Sequence, residues 1–223
     1  MKSTLKHLMT GLVLTGLAIL PAYAQDAPPA FTEDGLKLVE NSEWGLVYVE
    51  PGATLAGYDQ VQLLDTYVAF KKNWRREQNR NSGSQRVTEN DMSRIKERLA
   101  TGFSEVFTEV LSEAGYTVVD APGENVLLLR PAIINLDVTA PETSYAGRSK
   151  TYAESAGEMT IYLEIYDSVT GDLLAKGMDR QADRERGFMQ WQSRAQNTQA
   201  ARTILKGWAE SIVQALDKAH GKD

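Results

Sequence analysis

The most regular hydrophobic pattern in the chain lies in residues 91–120, where apolar side chains recur at steps of three and four. This spacing places them on one side of an α-helix, and its members are Met92, Ile95, Leu99, Phe103, Val106, Phe107, Val110, Leu111 and Ala114. Thr88 followed by Asp91 predicts a capping box at the beginning of the helix, and Gly115 predicts a left-handed cap at its end. Residues 116–120 then have strand composition. The pattern predicts a helix that packs on a sheet.

A second pattern alternates apolar and polar residues with the period of a strand that has one buried face. Its apolar members are Met159, Ile161, Leu163 and Ile165, and its polar members are Thr160, Tyr162, Glu164 and Tyr166. Residues 167–172 have turn composition, so residues 173–180 are predicted to return as the second strand of a hairpin. The face that carries Tyr162 and Tyr166 is predicted to be partly solvated or to meet a partner.

Weaker patterns predict three more strands and a second helix. Residues 46–49 and 60–70 read as strands, and so do residues 126–138, where Pro131 predicts an edge position or a bulge. Asn197 or Thr198 is expected to cap the second helix, with the apolar stripe Ala201, Ile204, Leu205, Trp208, Ile212, Val213 and Leu216. The element order is then β-β-α-β-β-β-β-α. The predicted fold class is α+β, with two helices packed on one face of a mostly antiparallel sheet.

The N-terminus has the features of a secretory signal peptide. Lys2 and Lys6 precede an apolar stretch at residues 8–20, and Ala22 and Ala24 are the small residues expected at the cleavage site. The apolar stretch is shorter than the ~20 residues that span a bilayer, and no later segment is long and apolar enough. We therefore expect a signal peptide at residues 1–24, a flexible mature N-terminus at 25–33 and a single α+β domain at 34–220. The predicted location is periplasmic or secreted.

Composition narrows the function classes. The mature chain would carry 22 Lys and Arg against 30 Asp and Glu, a formal net charge of −8. Such an acidic balance argues against nucleic acid as a partner, because that binding relies on cations that neutralise phosphates. The chain contains no cysteine, so we expect neither disulfides nor a lipid anchor attached through cysteine.

Few residues offer catalytic or metal chemistry. His7 lies in the signal peptide and His220 near the C-terminus, so the mature sequence has no Ser/His/Asp triad and no Cys/His zinc cluster. We therefore predict no catalytic residues, no metal and no cofactor. Three acidic groups have plain explanations: a solvated helix face, a turn and surface ion pairs. They are, in that order, Glu105, Glu109 and Glu113; Asp167 and Asp172; and Asp179, Asp183 and Glu185, which alternate with arginines.

Residues 71–86 form a basic stretch in this acidic protein. Glu77 is their single acid, and the candidate interaction residues are Lys71, Lys72, Trp74, Arg75, Arg76 and Arg80. An aromatic side chain among cations suits contact with anionic headgroups, phosphorylated glycans or an acidic protein patch. The alternative is a solvated loop whose tryptophan folds back onto the domain. Trp191 is a second candidate contact, with a connector that packs under the second helix as its alternative.

Three short phrases resemble the bacterial family called domain of unknown function 3313. They are Asp34-Gly35-Leu36, the heptapeptide Val47-Tyr48-Val49-Glu50-Pro51-Gly52-Ala53, and Gly57-Tyr58-Asp59. The resemblance covers residues 34–219 and implies an α/β envelope domain, with no known activity or site residues. The element order is also similar to that of the curli secretion lipoprotein, the lipoprotein activator of penicillin-binding proteins and the amino-terminal domain of the Tol translocation protein.

These observations together predict an exported, noncatalytic interaction module that contacts an envelope protein or an anionic envelope component. The Trp74 ring and its basic neighbours are the expected contact. Two alternatives belong to other classes. A carboxylate- or metal-dependent enzyme acting on an envelope glycan would need two buried carboxylates that converge in a pocket. A small-ligand carrier would need an apolar cavity between sheet and helices.

Overall fold

The computed structural model of this chain describes residues 27–80, 86–139, 151–153, 157–182, 190–192 and 194–222. Within these ranges lie an eight-stranded sheet, a separate two-stranded ladder and three helices. The strands are β1 (Lys37–Leu38), β2 (Leu46–Val49), β3 (Gln60–Leu63), β4 (Tyr67–Phe70), β5 (Thr117–Val119), β6 (Val126–Val138), β7 (Thr151–Ala153), β8 (Gly157–Asp167), β9 (Leu173–Ala182) and β10 (Gln190–Gln192). The helices are α1 (Trp74–Arg80), α2 (Glu89–Glu113) and α3 (Arg194–Ala219). The predicted α+β class is confirmed.

The main sheet has the strand order β1-β2-β9-β8-β6-β3-β5, with β4 also paired to β6. The neighbours from β1 to β6 are antiparallel, whereas β3 and β4 run parallel to β6, and β5 runs parallel to β3. The predicted hairpin is present as β8 and β9, with Ile161 opposite Asp179 and Leu163 opposite Gly177. The sheet is therefore mostly antiparallel, as predicted, with a parallel part at one side.

Strand β6 is central, and the predicted edge position is wrong. It pairs with β8 on one side and with β3 and β4 on the other. On the β3/β4 side, Leu129 is opposite Leu63 and Ala132 is opposite Tyr67, so Pro131 lies beside the break between the two strands. A central strand accommodates proline where the neighbouring ladder is interrupted. The register irregularity in β6 comes later, between Ile134 and Asp137.

Two predicted element bounds differ from those in the structure. Residues 60–70 form two strands instead of one, because β3 ends at Leu63 and β4 begins at Tyr67. Helix α3 begins at Arg194 instead of at Asn197 or Thr198. Residues 74–80 form helix α1, which the sequence pattern does not predict. The composition of residues 79–84 predicts a loop; α1 includes the first two of these residues, and residues 81–84 lie outside the described residues. Arginine, glutamate and glutamine have good helix propensity, and the loop prediction gave more weight to the asparagines.

Helix α2 has the predicted caps. The Thr88 side chain accepts from the backbone N–H of Asp91, and the Asp91 carboxylate accepts from the backbone N–H of Thr88. At the other end Gly115 has φ +89°, and Tyr116 N donates to Leu111 O over 2.9 Å. The buried stripe of α2 packs with α3 onto the same face of the sheet. This core includes Phe103, Phe107, Leu111, Leu129, Ile161, Leu163, Leu205 and Trp208.

The other face of the sheet is partly covered by the segment before β1. Leu36 is buried at 2% exposure, Asp34 pairs with Lys176 of β9, and Tyr48 Oη donates to Pro29 O over 3.0 Å. Pro29, Asp34 and Leu36 therefore contact the domain, and the flexible segment predicted at 25–33 stays a prediction. The Tyr162 and Tyr166 side chains lie on this face, as the alternation predicts, and both donate to Glu164 over 2.8 Å.

The signal peptide at residues 1–24, including Ala22 and Ala24, lies outside the described residues and stays a prediction. In the described ranges, no helix combines the length and the apolar character that crossing a membrane requires.

Candidate anion-binding site

The basic stretch is positioned by helix α1, which follows directly after strand β4. Asn73 adopts a left-handed conformation with φ +65°, which asparagine tolerates better than most residues, and it turns the chain from β4 into α1. Trp74, the first residue of α1, is only 1% exposed. Its ring stacks on Phe70 at the end of β4, with ring centroids 4.1 Å apart. This aromatic pair fixes the helix on the body of the domain.

The prediction that the Trp74 ring contacts a partner is wrong for this reason. A side chain that is 1% exposed has no surface to offer, and the tryptophan folds back onto the domain, which was the alternative. In the described residues its Nε1 is buried without a hydrogen-bond partner. Trp74 therefore positions the cations that flank it and does not itself form the surface.

A second contact ties the end of α1 to the segment before α2. The Asn79 side chain donates through Nδ2 to Val87 O over 3.0 Å and accepts at Oδ1 from Val87 N over 2.7 Å. This two-point bond imitates a backbone pair, and Val87 is buried at 4% exposure. Because Arg86 precedes Val87, the bond brings Arg86 beside the arginines of α1.

Four arginines line one shallow concavity as a result. The concavity has a volume of about 640 Å³, and its walls are Arg75, Arg76, Asn79, Arg80, Arg86 and Val87. We call it the arginine concavity. Arg75 also forms an ion pair with Glu89. Within the part of the chain that the structure describes, Arg76, Arg80 and Arg86 have no acidic partner.

The other predicted contact residues have different surroundings. Lys71 is engaged within the domain, since its Nζ lies 3.0 Å from Asp137 Oδ2 and 3.9 Å from Glu77 Oε2. The hydrogen bond to Asp137 raises the pKa of Lys71 above its ordinary value. Lys72 is exposed beside α1 and does not line the arginine concavity. Trp191 lies on β10, which pairs with β7, far from α1 in sequence and in another ladder; its side chain lies outside the described residues.

Sequence reasoning missed Asn79 and Val87 as positioning residues and left Arg86 out of the site. Asn79 belongs to an asparagine-rich stretch that predicts a loop, and nothing in the sequence shows that its side chain bonds to a backbone eight residues later. The clustering of arginines was the detectable signal. Their convergence around one concavity depends on the Trp74 anchor and on the Asn79 bond.

Arginines in this arrangement suit an anion with several oxygen atoms. A guanidinium is permanently charged and offers a planar fork of donors that matches phosphate. An anion in the arginine concavity would replace water around Arg76, Arg80 and Arg86, to which the described residues offer no acidic partner. The exposed placement of these arginines, on α1 and just before α2, fits contact with phosphate groups at a surface better than deep enclosure of a small molecule.

The two buried carboxylates of the described residues have structural partners. Among the described residues Asp91 and Asp179 are the buried ones, at 1% and 7% exposure. Asp91 caps α2 and pairs with Arg94. Asp179 accepts from Trp208 Nε1 over 2.8 Å and from Gly45 N over 3.1 Å. The prediction that Asp179 forms a surface ion pair is therefore wrong. Asp183 and Glu185 lie outside the described residues.

Two more groups have structural partners. Asp167 accepts at Oδ1 from Val169 N and Thr170 N over 2.9 and 2.7 Å, and these hydrogen bonds shape the β8–β9 turn. His220 lies at the end of α3, with Nδ1 2.8 Å from Leu216 O. Over the described ranges, no three Asp, Glu or His side chains gather in a way that would hold a metal ion.

Comparisons with known proteins agree with the family resemblance. The model of a family described as "Protein of unknown function (DUF3313)" matches residues 31–212. No protein of curated function matches the sequence.

Several solved structures are similar in fold. A PelC dodecamer from Paraburkholderia phytofirmans is 11% identical, with a TM-score of 0.38 over 75% of this chain and 98% of that chain. A minor lipoprotein from Acinetobacter baumannii is 9% identical, with a TM-score of 0.35 over 74% of this chain and 95% of that chain. A DUF330 protein from Xanthomonas campestris is 13% identical, with a TM-score of 0.42 over 77% of this chain and 91% of that chain. These likenesses are too weak to carry a function across to this chain.

Proposed function

The chain belongs to the DUF3313 family, and we propose that it is a noncatalytic binding module of the bacterial envelope. In this proposal it contacts phosphate-bearing components, such as anionic lipid headgroups or the phosphates of lipopolysaccharide, through the arginine concavity. The predicted signal peptide supports the envelope location, because it would export the mature domain.

The observation that carries the proposal is a set of arginines to which the described part of the chain supplies no acidic partner. Arg76, Arg80 and Arg86 converge on one concavity and have no acidic partner in the described residues. The protein as a whole has a formal net charge of −6, so these arginines form a local basic surface on an acidic protein. Like charges held close together repel each other, so their clustering costs free energy that an anionic partner would offset.

The noncatalytic part of the proposal rests on the positions of the reactive groups. His220 is at the end of α3, and the buried carboxylates Asp91 and Asp179 have separate sets of structural partners. An enzyme acting on a glycan would instead bring two carboxyl groups together across a substrate cleft.

The direct test is cosedimentation of the mature protein with vesicles. Vesicles of phosphatidylcholine alone are compared with vesicles that also contain phosphatidylglycerol or lipopolysaccharide. We expect binding only to the anionic vesicles, weakening as salt is added, because screening reduces attraction to a charged surface. The double variant Arg76→Gln/Arg80→Gln should lose about 30-fold in affinity, since each cation near such a surface contributes about 1 kcal/mol.

A matched control removes the same charge elsewhere. Lys37 and Lys218 are exposed and lie outside the arginine concavity, so Lys37→Gln/Lys218→Gln should bind as the wild type does. An equal loss in both double variants would attribute binding to net charge and would refute the role of the site. So would equal binding of the wild type to neutral and anionic vesicles.

A further inference from the structure

A separate cavity lies between α2, α3 and the sheet, at the end where β6 and β8 meet. We call it the interhelix cavity. Its volume is about 160 Å³, and its walls are mainly apolar, with Leu99 from α2, Leu136 and Met159 from the sheet, and Ala201 and Leu205 from α3. None of these residues belongs to the arginine concavity.

The size of the interhelix cavity decides what it can hold. Protein interiors pack densely, and a void of this size with apolar walls forfeits the contacts that its lining would otherwise make. An apolar cavity of about 150 Å³ takes up benzene-sized ligands. A cavity of about 160 Å³ therefore matches a ring of six carbons or the end of a short alkyl chain. Asn197 and Thr198 also line the present cavity, and Asn197 Oδ1 is buried without a hydrogen-bond partner in the described residues.

The charged residues at its edge are already engaged. Asp137 pairs with Lys71 over 3.0 Å, Glu158 pairs with Arg180, and Arg202 pairs with Glu109 over 2.7 Å. Arg98, the fourth charged residue of the lining, also has an interaction partner. Three of the four charged residues are thus paired with an opposite charge, which favours an uncharged ligand.

Gly102, one of the lining residues, gives a further reason to regard the cavity as a binding site. It lies within α2 and lines the cavity, although glycine in a helix interior costs about 1 kcal/mol relative to alanine. Close packing does not explain it, because a Cβ built on Gly102 would meet no atom within 4 Å. The absence of a side chain at this position leaves the cavity open.

From these observations we propose that the interhelix cavity is a binding site for a small uncharged apolar group, either a benzene-sized ring or the end of an alkyl chain. This site is independent of the arginine concavity, so either can fail without the other. Gly102 keeps the site open, and the ligand would lie between the residues of the three walls.

The experiment measures the melting temperature of the mature protein with saturating benzene, 1-hexanol or hexanoate. A ligand that binds only the folded state raises the melting temperature, and we expect a rise of about 5 °C or more at saturation for benzene or hexanol. A rise with benzene alone identifies a ring site, and one with hexanol alone identifies a chain site. Hexanoate should bind more weakly than hexanol, because the cavity would have to desolvate its carboxylate.

Variants show where the ligand binds. Gly102→Leu extends four carbon atoms from the α2 wall and should abolish the ligand-dependent rise. Gly207→Leu is the matched control, since Gly207 is an exposed glycine of α3 that also has open space around it, and it should keep the rise. If Gly102→Leu does not fold, Ala201→Leu fills the same cavity from α3.

Two results would overturn the proposal. One is a wild type whose melting temperature responds to neither benzene nor hexanol. The other is a rise of equal size in the cavity-filling variant and in Gly207→Leu, which would place the ligand elsewhere. Stronger binding of hexanoate than of hexanol would contradict the uncharged ligand class.

Discussion

Asp179 connects three parts of the domain through one carboxylate. It lies on β9, accepts from Trp208 of α3 and from the backbone of Gly45 before β2, and also accepts from Gln181 Nε2 over 2.8 Å. The alternation of acids and arginines in the sequence predicts a surface ion pair here. Burial of the Trp208 ring against the sheet instead requires an acceptor for its indole N–H, and Asp179 supplies it.

Replacing Asp179 should destabilise the fold strongly. Asp179→Ala leaves the buried N–H groups of Trp208 and Gly45 without acceptors, so we expect the free energy of unfolding to fall by about 2–4 kcal/mol. Urea unfolding measures this change. Trp208→Phe removes the donor, and the double variant should cost less than the sum of the two single variants. Fully additive effects would contradict the coupling.

The turn residue Asp167 should make the stability of the fold depend on pH. Its pKa is held below the ordinary value, first by the hydrogen bond from the Thr170 backbone N–H and then by the one from Tyr58. The Tyr58 hydroxyl, 2.8 Å from the carboxylate, has its pKa raised to about 12 by burial and by this contact. A carboxylate with a depressed folded pKa stabilises the fold above its unfolded pKa of about 3.9 and loses that contribution as pH falls.

The expected result is a pH-dependent difference between the wild type and Asp167→Asn. The variant should melt at a lower temperature than the wild type at pH 6, and the gap should narrow as the pH falls from about 5 to 3. Thermal melts at several pH values measure the gap. Asp172→Asn changes a second acid of the same turn without touching the Tyr58 contact, and a gap of the same pH dependence there would refute the role of Asp167.

At the scale of elements, Gly115 sets the end of α2. Its φ of +89° is disfavoured by any side chain, and a Cβ there would meet no atom within 4 Å. The cost of Gly115→Ala is therefore conformational alone, about 1–2 kcal/mol, and urea unfolding measures it. Gly207→Ala, inside α3, should instead stabilise the protein through helix propensity. If both variants shift stability in the same direction, the cap does not act as described.

The elements that could be predicted are those with local causes. Helix α2 has a periodic stripe, a capping box and a glycine end, all within 30 residues of sequence, and the β8–β9 hairpin has alternation on both sides of a turn. Helix α1 was missed because residues 74–80 have no periodic apolar stripe: Trp74 stacks on Phe70 and Asn79 bonds to Val87, and neither contact leaves a repeating hydrophobic pattern in the sequence. The break between β3 and β4 likewise depends on the neighbouring strand β6, which no short window of sequence contains.

At the scale of the molecule, the basic character of the stretch could be predicted from the sequence, whereas the arrangement of its residues into a site could not. The sequence shows that cations gather in residues 71–86, and this basic character is local and countable. It does not show that Trp74 is buried, that Lys71 is taken up by Asp137, or that Arg86 joins Arg76 and Arg80 around one concavity. Those features depend on how β4, α1 and α2 pack. The proposed contact surface therefore consists of arginines on a helix that is anchored by a buried tryptophan.

The most direct measurement of this account is photo-crosslinking in intact bacterial envelopes. A photo-reactive residue in place of Glu77 sits on α1 and keeps every arginine of the concavity, and one in place of Glu210 on the exposed side of α3 is the matched control. The account predicts adducts with phosphate-bearing lipid or lipopolysaccharide at position 77 and none at position 210. Equal adduct yields at the two positions, or adducts with protein alone at position 77, would contradict it.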